Sequence, residues 1–347
     1  MTLSLPTAAA DDRVLMDLHV SALAYPAVLA ADQLGVFESL ATSPATPHEL
    51  AERLGLNMRA MRALLPQLAV SGLLTQRLGR YLLNDRANTF LRPGSPYYWG
   101  PVFLLMRQIP MRDSDVVEQL QRANDGARWD ANKENSEASG AWSAGEVTPD
   151  LASAIAAYMQ ANCQSAALGL AQCFELKGTR RLLDAGAGSG CYSIAFAKAN
   201  PALRCTMMDL KGMAAVAMDY VRAAGVDDRI DTVVTDMLRE EWPKGYDAIL
   251  LSSIFHDWDF DTCALIAAKA FRALPSGGRI LVHEMLLEDT HDGPPAVAAF
   301  SMYMLLGTKG QQFTADEIRQ ILSAAGFGHV RIEPAHGYYF VVTAEKP

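Results

Sequence analysis

The mostly apolar stretch ILLSSIF is followed directly by His256, Asp257, Trp258 and Asp259. Imidazole and carboxylate groups are the common general bases of enzymes, and a positioned base is worth about 10²–10⁴-fold in rate. One interpretation is therefore a catalytic base at the end of a buried strand. The other is a core histidine beside a carboxylate, Asp257 or Asp259, that caps the helix DTCALIAAKAF.

A glycine-rich loop is the second group that could do chemistry. The segment LLDAGAGSG places Asp184 at the end of a strand and Gly186, Gly188 and Gly190 in the turn that follows. Glycine permits a sharp backbone turn and the close approach of a ligand. Such a loop at the carboxyl edge of a parallel sheet is typical of nucleotide sites. Its GxGxG spacing differs from the dinucleotide fingerprint GxGxxG, and a glycine pattern alone identifies no ligand.

Acidic residues at successive strand ends narrow the choice of ligand. Asp209 ends the second strand, where it can accept hydrogen bonds from both ribose hydroxyls. Asp236 ends the third strand, where it can accept the adenine amino group while Met237 packs on the ring. Asp184 would repel a pyrophosphate and attract a cation. The three acids favour S-adenosylmethionine over NAD, although each could instead stabilise a turn or cap a helix.

The fold that positions these groups is predicted from the rhythm of the second half of the chain. From Arg180 onward, short strand-like segments alternate with helical segments, which predicts a parallel sheet covered on both faces. The last two strands, HVRIEPAH and YYFVVTAEKP, are joined by a short turn at Gly337 and must therefore be antiparallel. The predicted class is α/β, a Rossmann-like parallel sheet with a final antiparallel strand.

The N-terminal part has a different, mostly helical pattern. Residues 12–40 have apolar residues at helical spacing, and Thr46 with Glu49 predicts a capping box at the start of the next helix. A further helix is predicted from Asn57 to about Val70, followed by two short strands around Gly79. This order of elements is a winged-helix pattern, which serves DNA binding in some proteins and packing or dimerisation in others.

Charge favours the second of these roles. Residues 1–100 contain eight Arg, no Lys and eight Asp or Glu, so no basic face is available for phosphates.

The polar segment 123–149, rich in Gly and Ser and with two Trp, predicts either an exposed linker with some helix or a lid. A helix from Pro149 to about Phe174 follows it.

Bulk composition bounds the remaining possibilities. A chain of 347 residues predicts about two domains, and a net charge of −9 argues against a general binder of nucleic acids or anionic membranes. Five cysteines without a CxxC pair are typical of a reducing compartment. The N-terminus lacks the features of a signal peptide, and the apolar run SALAYPAVLAA is too short to span a bilayer. We expect a soluble, cytoplasmic protein.

The chain resembles the class I S-adenosylmethionine-dependent O-methyltransferases of the caffeate and hydroxyindole type, in DAGAGSG, Asp209, TDM, LSSIFHDWD, GGRILVHE and FTADEIRQILSAAGF. The resemblance is specific over residues 180–345 and looser over the winged helix. It implies metal-independent methyl transfer to a hydroxyl of a small aromatic or conjugated secondary metabolite by a homodimer. It also implies three regions: a dimerisation domain (1–100), a helical connecting region that contributes to the acceptor pocket (101–175) and a catalytic, cofactor-binding domain (176–347).

The resemblance also implies roles for individual residues. His256 matches the general base, and Glu284 matches the acid that orients and polarises its imidazole. The implied cofactor-binding residues are Asp184, Gly186, Gly188, Gly190, Asp209, Asp236, Met237 and Ser252, the last standing where plant enzymes carry Lys. The implied acceptor pocket draws on Phe103, Met106, Arg107, Met159, Phe300, Tyr303, Met304 and Gln312, and Gln312 stands where the family has a second glutamate.

Other functions remain open at this point because a fold does not fix a function. The same pocket could support N- or C-methylation, or a reaction without methyl transfer such as decarboxylation, hydroxylation or a pericyclic step. The presence of both His256 and Glu284 favours methyl transfer to oxygen. A winged-helix transcriptional regulator is a further alternative, against which the neutral charge balance counts.

Overall fold

The computed structural model describes residues 11–108, 112–121 and 148–347. The predicted linker or lid at 123–149 lies outside these residues except for its last two positions. The chain divides into two compact units, residues 1–108 and 109–347. The region expected to connect the domains is shared between them, since its first helix belongs to the first unit and its later helices to the second.

The first unit is helical with one β-hairpin. Its described helices are α1 (Arg13–Ser21), α2 (Ala24–Gln33), α3 (Val36–Thr42), α4 (Pro47–Leu54), α5 (Met58–Val70), α6 (Asp85–Phe90) and α7 (Gly100–Gln108). The hairpin strands are β1 (Leu74–Arg77) and β2 (Arg80–Leu83), which pair antiparallel. The predicted succession of helix, turn, helix and hairpin is confirmed.

The capping box that starts α4 is confirmed as well. The Thr46 hydroxyl accepts the backbone N–H of Glu49 at 3.2 Å, and a Glu49 carboxylate oxygen accepts the N–H of Thr46 at 2.9 Å. The helix ends at Gly55, whose φ of 63° is a left-handed conformation that glycine adopts without strain. Local sequence therefore determines both ends of this helix.

Helix α1 presents apolar side chains to solvent within its unit. Leu15 and Leu18 are 69% and 66% exposed, Leu23 between α1 and α2 is 70% exposed, and no residue of α1 is buried. By length and composition alone, the helical stretch Arg13–Gln33 could also cross a membrane. A contiguous exposed apolar face of this kind marks a surface that contacts a partner or a membrane.

The second unit is built on a mixed sheet. Its described helices are α8 (Asp113–Gln121), α9 (Pro149–Cys173), α10 (Cys191–Ala199), α11 (Lys211–Ala224), α12 (Phe260–Ala273), α13 (Pro295–Gly307) and α14 (Ala315–Ala324). Its described strands are β3 (Arg181–Ala185), β4 (Arg204–Asp209), β5 (Ile230–Val234), β6 (Ala248–Ser252), β7 (Arg279–Met285), β8 (Gly328–Pro334) and β9 (Tyr339–Glu345).

Strand order places the predicted site residues at one edge of this sheet. In the described residues the order is β5-β4-β3-β6-β7-β9-β8, with β3 to β7 parallel and β9 antiparallel to both of its neighbours. The predicted fold class is thus confirmed. The reversed strand β9 lies between β7 and β8, because the short turn at Gly337 returns the chain alongside β8.

Strand β6 is apolar because both faces of the sheet are covered. Ile249, Leu250 and Leu251 are completely buried, with Ile249 and Leu251 in one core cluster and Leu250 in the cluster on the opposite face. The helix that follows, α12, is capped by Asp259, whose carboxylate accepts the N–H of Thr262 at 2.8 Å. Of the two candidate caps, Asp259 is the cap, and Asp257 lies beside His256 instead.

Candidate active site

A single buried carboxylate organises the chain after β6. Glu284 is 1% exposed near the carboxyl end of β7, next to β6 in the sheet. Its Oε1 accepts the backbone N–H groups of Ile254 and Phe255, both at 2.8 Å. Its Oε2 lies 2.8 Å from Nδ1 of His256. The predicted pairing of His256 with Glu284 is therefore present in the structure, and the same carboxylate fixes the turn that carries the histidine.

The bond to Glu284 determines which ring nitrogen of His256 can act as a base. Because Nδ1 faces a carboxylate, Nδ1 carries a proton and Nε2 is the nitrogen available for proton exchange. Nε2 lies 3.6 Å from Oδ1 of Asp257. The imidazole also meets the ring of Phe300 edge-on, with the ring centres 5.7 Å apart. His256 is thus held between two carboxylates and one aromatic ring.

These neighbours set the proton affinity of His256. Burial on its own lowers the pKa of this imidazole, but the negative charges of Glu284 and Asp257 and the bond to Glu284 outweigh burial and raise the pKa to about 9. A phenolic hydroxyl has an ordinary pKa of ~10. Proton transfer from a phenol to the neutral form of His256 is consequently close to balanced.

The glycine loop has the conformation that its sequence predicts. Gly186, Gly188 and Gly190 have φ values of 75°, 58° and 79°. A Cβ atom on Gly188 would lie 2.6 Å from Sδ of Met159, and a Cβ on Gly190 would lie 2.5 Å from Sδ of Met207. Other residues are therefore excluded both by backbone conformation and by the side chains packed on the loop.

Two of the predicted cofactor acids lie buried at this loop. Asp209 accepts the N–H of Gly188 at 2.8 Å and the N–H of Leu210 at 2.7 Å, and Asp184 accepts the hydroxyl of Ser193 at 2.7 Å. Burial raises the pKa of both carboxyl groups to about 6, although these hydrogen bonds oppose the shift. A positively charged ligand would favour their ionised forms.

The other predicted cofactor residues, Asp236, Met237 and Ser252, each make contacts within the protein. Asp236 accepts the N–H groups of Leu238 and Arg239 at 2.9 and 3.1 Å, so its carboxylate stabilises a turn. The methyl group of Met237 packs close to the Cα of Gly186. The Ser252 hydroxyl lies 2.9 Å from Nδ1 of His283 and points into the protein. The roles of Asp236, Met237 and Ser252 toward a cofactor remain predictions.

A buried polar cluster beneath this edge was not predicted from the sequence. His283 is completely buried, stacks on Tyr339 with ring centres 4.7 Å apart, and meets Tyr192 edge-on. Burial lowers the pKa of His283 to about 3, so this imidazole is neutral. In the described residues, Nε2 of His283 is buried without a hydrogen-bond partner, whereas the hydroxyls of Tyr192 and Ser253 interact with Ser252 and Tyr339. Their strands and loops are far apart in sequence, so spacing gave no indication of the cluster.

Several residues predicted for the acceptor pocket lie in the same unit as His256. Phe300 contacts the imidazole, Tyr303 lies against Phe300 with ring centres 5.7 Å apart, and Met304 is buried on the same helix, α13. Met159 of α9 packs over the glycine loop. Gln312 is buried in the segment between α13 and α14. Apart from Gln312 these side chains are largely apolar, and their role in acceptor binding remains a prediction.

The remaining predicted pocket residues belong to the first unit. Phe103 is buried in the core of that unit, against the rings of Tyr25 and Trp99. Arg107 donates to a carboxylate oxygen of Asp32 at 2.9 Å. Met106 lies on the same helix, α7. A role of these three residues in acceptor binding remains a prediction.

The sequence matches two protein-family models. The O-methyltransferase domain model matches residues 123–328, and the O-methyltransferase dimerisation domain model matches residues 16–93. Together they include the glycine loop, the strand-end acids, His256 and Glu284 in one model and the winged-helix pattern in the other.

Relatives of known activity align with most of the chain. The 3-hydroxy-5-methyl-1-naphthoate 3-O-methyltransferase of Streptomyces sahachiroi is 33% identical over 334 residues, covering 92% of this chain and 90% of the relative. The L-tyrosine C(3)-methyltransferase of Streptomyces lavendulae is 28% identical and covers 88% and 84%. The structure of human N-acetylserotonin methyltransferase in complex with SAM has a TM-score of 0.80 at 21% identity, covering 98% of this chain and 99% of that chain. That likeness shows a shared fold.

The charge of Glu284 should control the titration of His256. In the wild-type protein we expect this imidazole to lose its proton near pH 9. Glu284→Gln removes the adjacent negative charge, so the pKa of His256 should fall, as measured by NMR of the histidine ring carbons and protons. Glu288→Gln, which changes an exposed carboxylate just after β7, should leave the titration unchanged. An identical titration in wild type and Glu284→Gln would contradict the electrostatic account.

Proposed function

The chain belongs to the O-methyltransferase family and is an S-adenosylmethionine-dependent methyltransferase, and we propose that it methylates a hydroxyl of a small aromatic or conjugated acceptor with His256 as general base. The observation that carries the role of His256 is its pairing with buried Glu284 at the sheet edge that also holds the glycine loop. The bond leaves Nε2 as the nitrogen that exchanges a proton.

The residues at the glycine loop fit the charge of this cofactor. Among the described residues, neither Asp184 nor Asp209 is paired with a basic side chain. The buried hydroxyls of Ser189 and Ser253 lie at the same edge, beside Cys191 and Tyr339. When bound, S-adenosylmethionine supplies a methyl group on a positively charged sulfur. A cation complements two unpaired acids, whereas the phosphates of a dinucleotide would be repelled by them.

Each predicted cofactor residue has a part in this proposal. Asp209 would hold the ribose hydroxyls through the lone pairs that the loop N–H groups leave free, while its bond to Gly188 fixes the loop. Asp236 and Met237 would contact the adenine, and the backbone of Ser252 would contact the methionine portion. Gly186, Gly188 and Gly190 let the chain approach the ligand closely.

The proposed step at the acceptor is removal of a hydroxyl proton. Nε2 of His256 takes the proton as the acceptor oxygen gains negative charge, and Glu284 and Asp257 stabilise the resulting imidazolium. Phe300, Tyr303 and Met304 would hold the acceptor ring and exclude water. Holding the acceptor in place would increase the rate further, because it converts a bimolecular reaction into one within a complex.

Carbon methylation is a second candidate with an observation in its favour. The relative named L-tyrosine C(3)-methyltransferase aligns with 88% of this chain. A phenolate is nucleophilic at oxygen and at the adjacent ring carbon, so the same base would serve both reactions. NMR of the methylated product distinguishes an O-methyl from a C-methyl group.

We propose that the enzyme acts as a cytoplasmic homodimer. The match to the dimerisation domain model includes most of α1, whose apolar side chains Leu15 and Leu18 are exposed within the unit. A second copy of the chain would cover this face. The five cysteines form no disulfide, which fits a reducing compartment.

Removal of the Asp209 carboxylate should weaken cofactor binding. Asp209→Ala is expected to cost about 1–3 kcal/mol in S-adenosylmethionine affinity, because ribose hydroxyls lose their acceptor. Isothermal titration calorimetry measures this loss. Asp231→Ala, an exposed carboxylate on the neighbouring strand β5, is the control and should bind normally. Unchanged affinity of Asp209→Ala would refute the ribose assignment.

The contribution of His256 should depend on the acidity of the acceptor. His256→Ala is expected to lower kcat by about 10²–10⁴-fold on a weakly acidic phenol while cofactor affinity stays unchanged. The loss should shrink for acidic phenols, which bind already ionised and need no base. Steady-state kinetics on a series of substituted phenols tests this. Full activity of the variant on a weakly acidic acceptor would rule out a general base at this position.

The exposed face of α1 should control assembly. We expect the wild-type protein to sediment as a dimer at micromolar concentration, with an interface above ~2,000 Å². The double variant Leu15→Lys/Leu18→Lys should sediment as a monomer. Leu78→Lys changes a fully exposed leucine between β1 and β2 and should remain a dimer. A wild-type monomer that floats with lipid vesicles would instead assign this helix to a membrane surface.

A further inference from the structure

Gln312 has a buried amide that the described protein does not satisfy. The residue is 2% exposed, and neither Oε1 nor Nε2 has a hydrogen-bond partner. An unsatisfied buried polar group costs about 1–3 kcal/mol. Native proteins rarely leave both ends of a side-chain amide unpaired, so each such group requires an explanation, such as a ligand.

Two contacts place the segment that carries Gln312 near His256. The backbone N–H of Gln312 donates to the hydroxyl of Ser301 at 3.1 Å, and Ser301 follows Phe300, whose ring meets the imidazole of His256. Two residues before Gln312, Gly310 packs so tightly on the backbone of residues 256–258 that no Cβ would fit. The segment that carries the amide is thus anchored to Ser301, next to Phe300, and to the backbone of His256 and the two residues after it.

The charges around His256 indicate what a neutral amide is suited to bind. Glu284 and Asp257 already supply two carboxylates, which accept hydrogen bonds and repel anions. Gln312 adds a donor, Nε2, without adding negative charge. An acceptor molecule with a carbonyl or carboxylate oxygen on the same ring as its reacting hydroxyl could bind this donor, whereas a glutamate here would repel a carboxylate.

We propose that Gln312 is the residue that selects the acceptor, and that the preferred acceptors are hydroxylated aromatic rings that carry a carboxylate or carbonyl group close to the reacting hydroxyl. The amide N–H binds that oxygen and thereby orients the hydroxyl toward Nε2 of His256. This inference rests on the proposed function, since it concerns the acceptor of the same reaction.

Matched acceptors and matched variants test the proposal in the full-length enzyme. The acceptors are 3-hydroxy-2-naphthoate and 2-naphthol, which differ only in the carboxylate. The variants are Gln312→Met, which keeps the length and removes the amide, and Gln312→Glu, which adds charge. Gln311→Met is the control, because Gln311 is the exposed neighbour. For each enzyme, kcat/KM is measured with both acceptors, and S-adenosylmethionine affinity is measured by calorimetry.

The wild-type enzyme should prefer the naphthoate. Gln312→Met should lose about 10–100-fold in kcat/KM on the naphthoate, the usual effect of a hydrogen bond to a charged group, and less than about threefold on naphthol. Gln312→Glu should lose more on the naphthoate, and Gln311→Met should behave as wild type. Equal losses on both acceptors, or no wild-type preference, would overturn the inference.

Binding measurements separate this inference from the proposed function. Acceptor affinity is measured by calorimetry on the protein loaded with S-adenosylhomocysteine. If the wild-type enzyme binds the naphthoate more tightly and Gln312→Met abolishes that preference, the inference holds even where no methyl product forms, and only the assigned reaction fails. If neither acceptor binds the loaded protein, the proposed acceptor class is wrong, whatever methylation other hydroxyl compounds show.

Discussion

The carboxylate of Glu284 is the constraint on which the site depends. It is almost completely buried and satisfies three donors at once: two backbone N–H groups and the imidazole of His256. Loss of a buried charged partner is costly because the remaining groups are desolvated without compensation. The parallel register of β6 and β7 places Glu284 beside the turn that follows β6, so the architecture of the sheet and the orientation of the His256 imidazole are determined together.

Because both faces of the sheet are covered, its polar side chains are concentrated where the strands end. Strand interiors such as Leu250 and Leu251 are buried on both faces, and polar residues appear where the strands end. Several side chains at this edge are buried, and burial moves the pKa values of acids and bases in opposite directions. Burial raises the pKa of Asp209 to about 6 and lowers the pKa of His283 to about 3, whereas two neighbouring carboxylates raise that of His256.

The sequence predicts the fold well because the signals that start, end and connect its helices and strands are local. Alternating strands and helices, the capping box at Thr46 and the short turn at Gly337 each act over a few residues. The resemblance to the O-methyltransferase family implies the pairing of His256 with Glu284, and the parallel register of β6 and β7 allows the two side chains to meet. Which of Asp257 and Asp259 caps α12 could not be predicted, since both precede the helix and only the backbone path decides. The cluster around His283 depends on contacts between distant segments, which no spacing reveals.

The two carboxylates already beside His256 account for a glutamine, rather than a further acid, at position 312. Each additional carboxylate beside the imidazole stabilises its charged form and raises its pKa further. With Glu284 and Asp257 the pKa is already about 9, close to that of a phenol. A third carboxylate would hold the proton on the imidazole more tightly and reduce the fraction able to act as a base. A neutral amide at Gln312 adds no charge and provides a donor, so in the proposed reaction proton transfer and acceptor selection would be carried out by separate side chains.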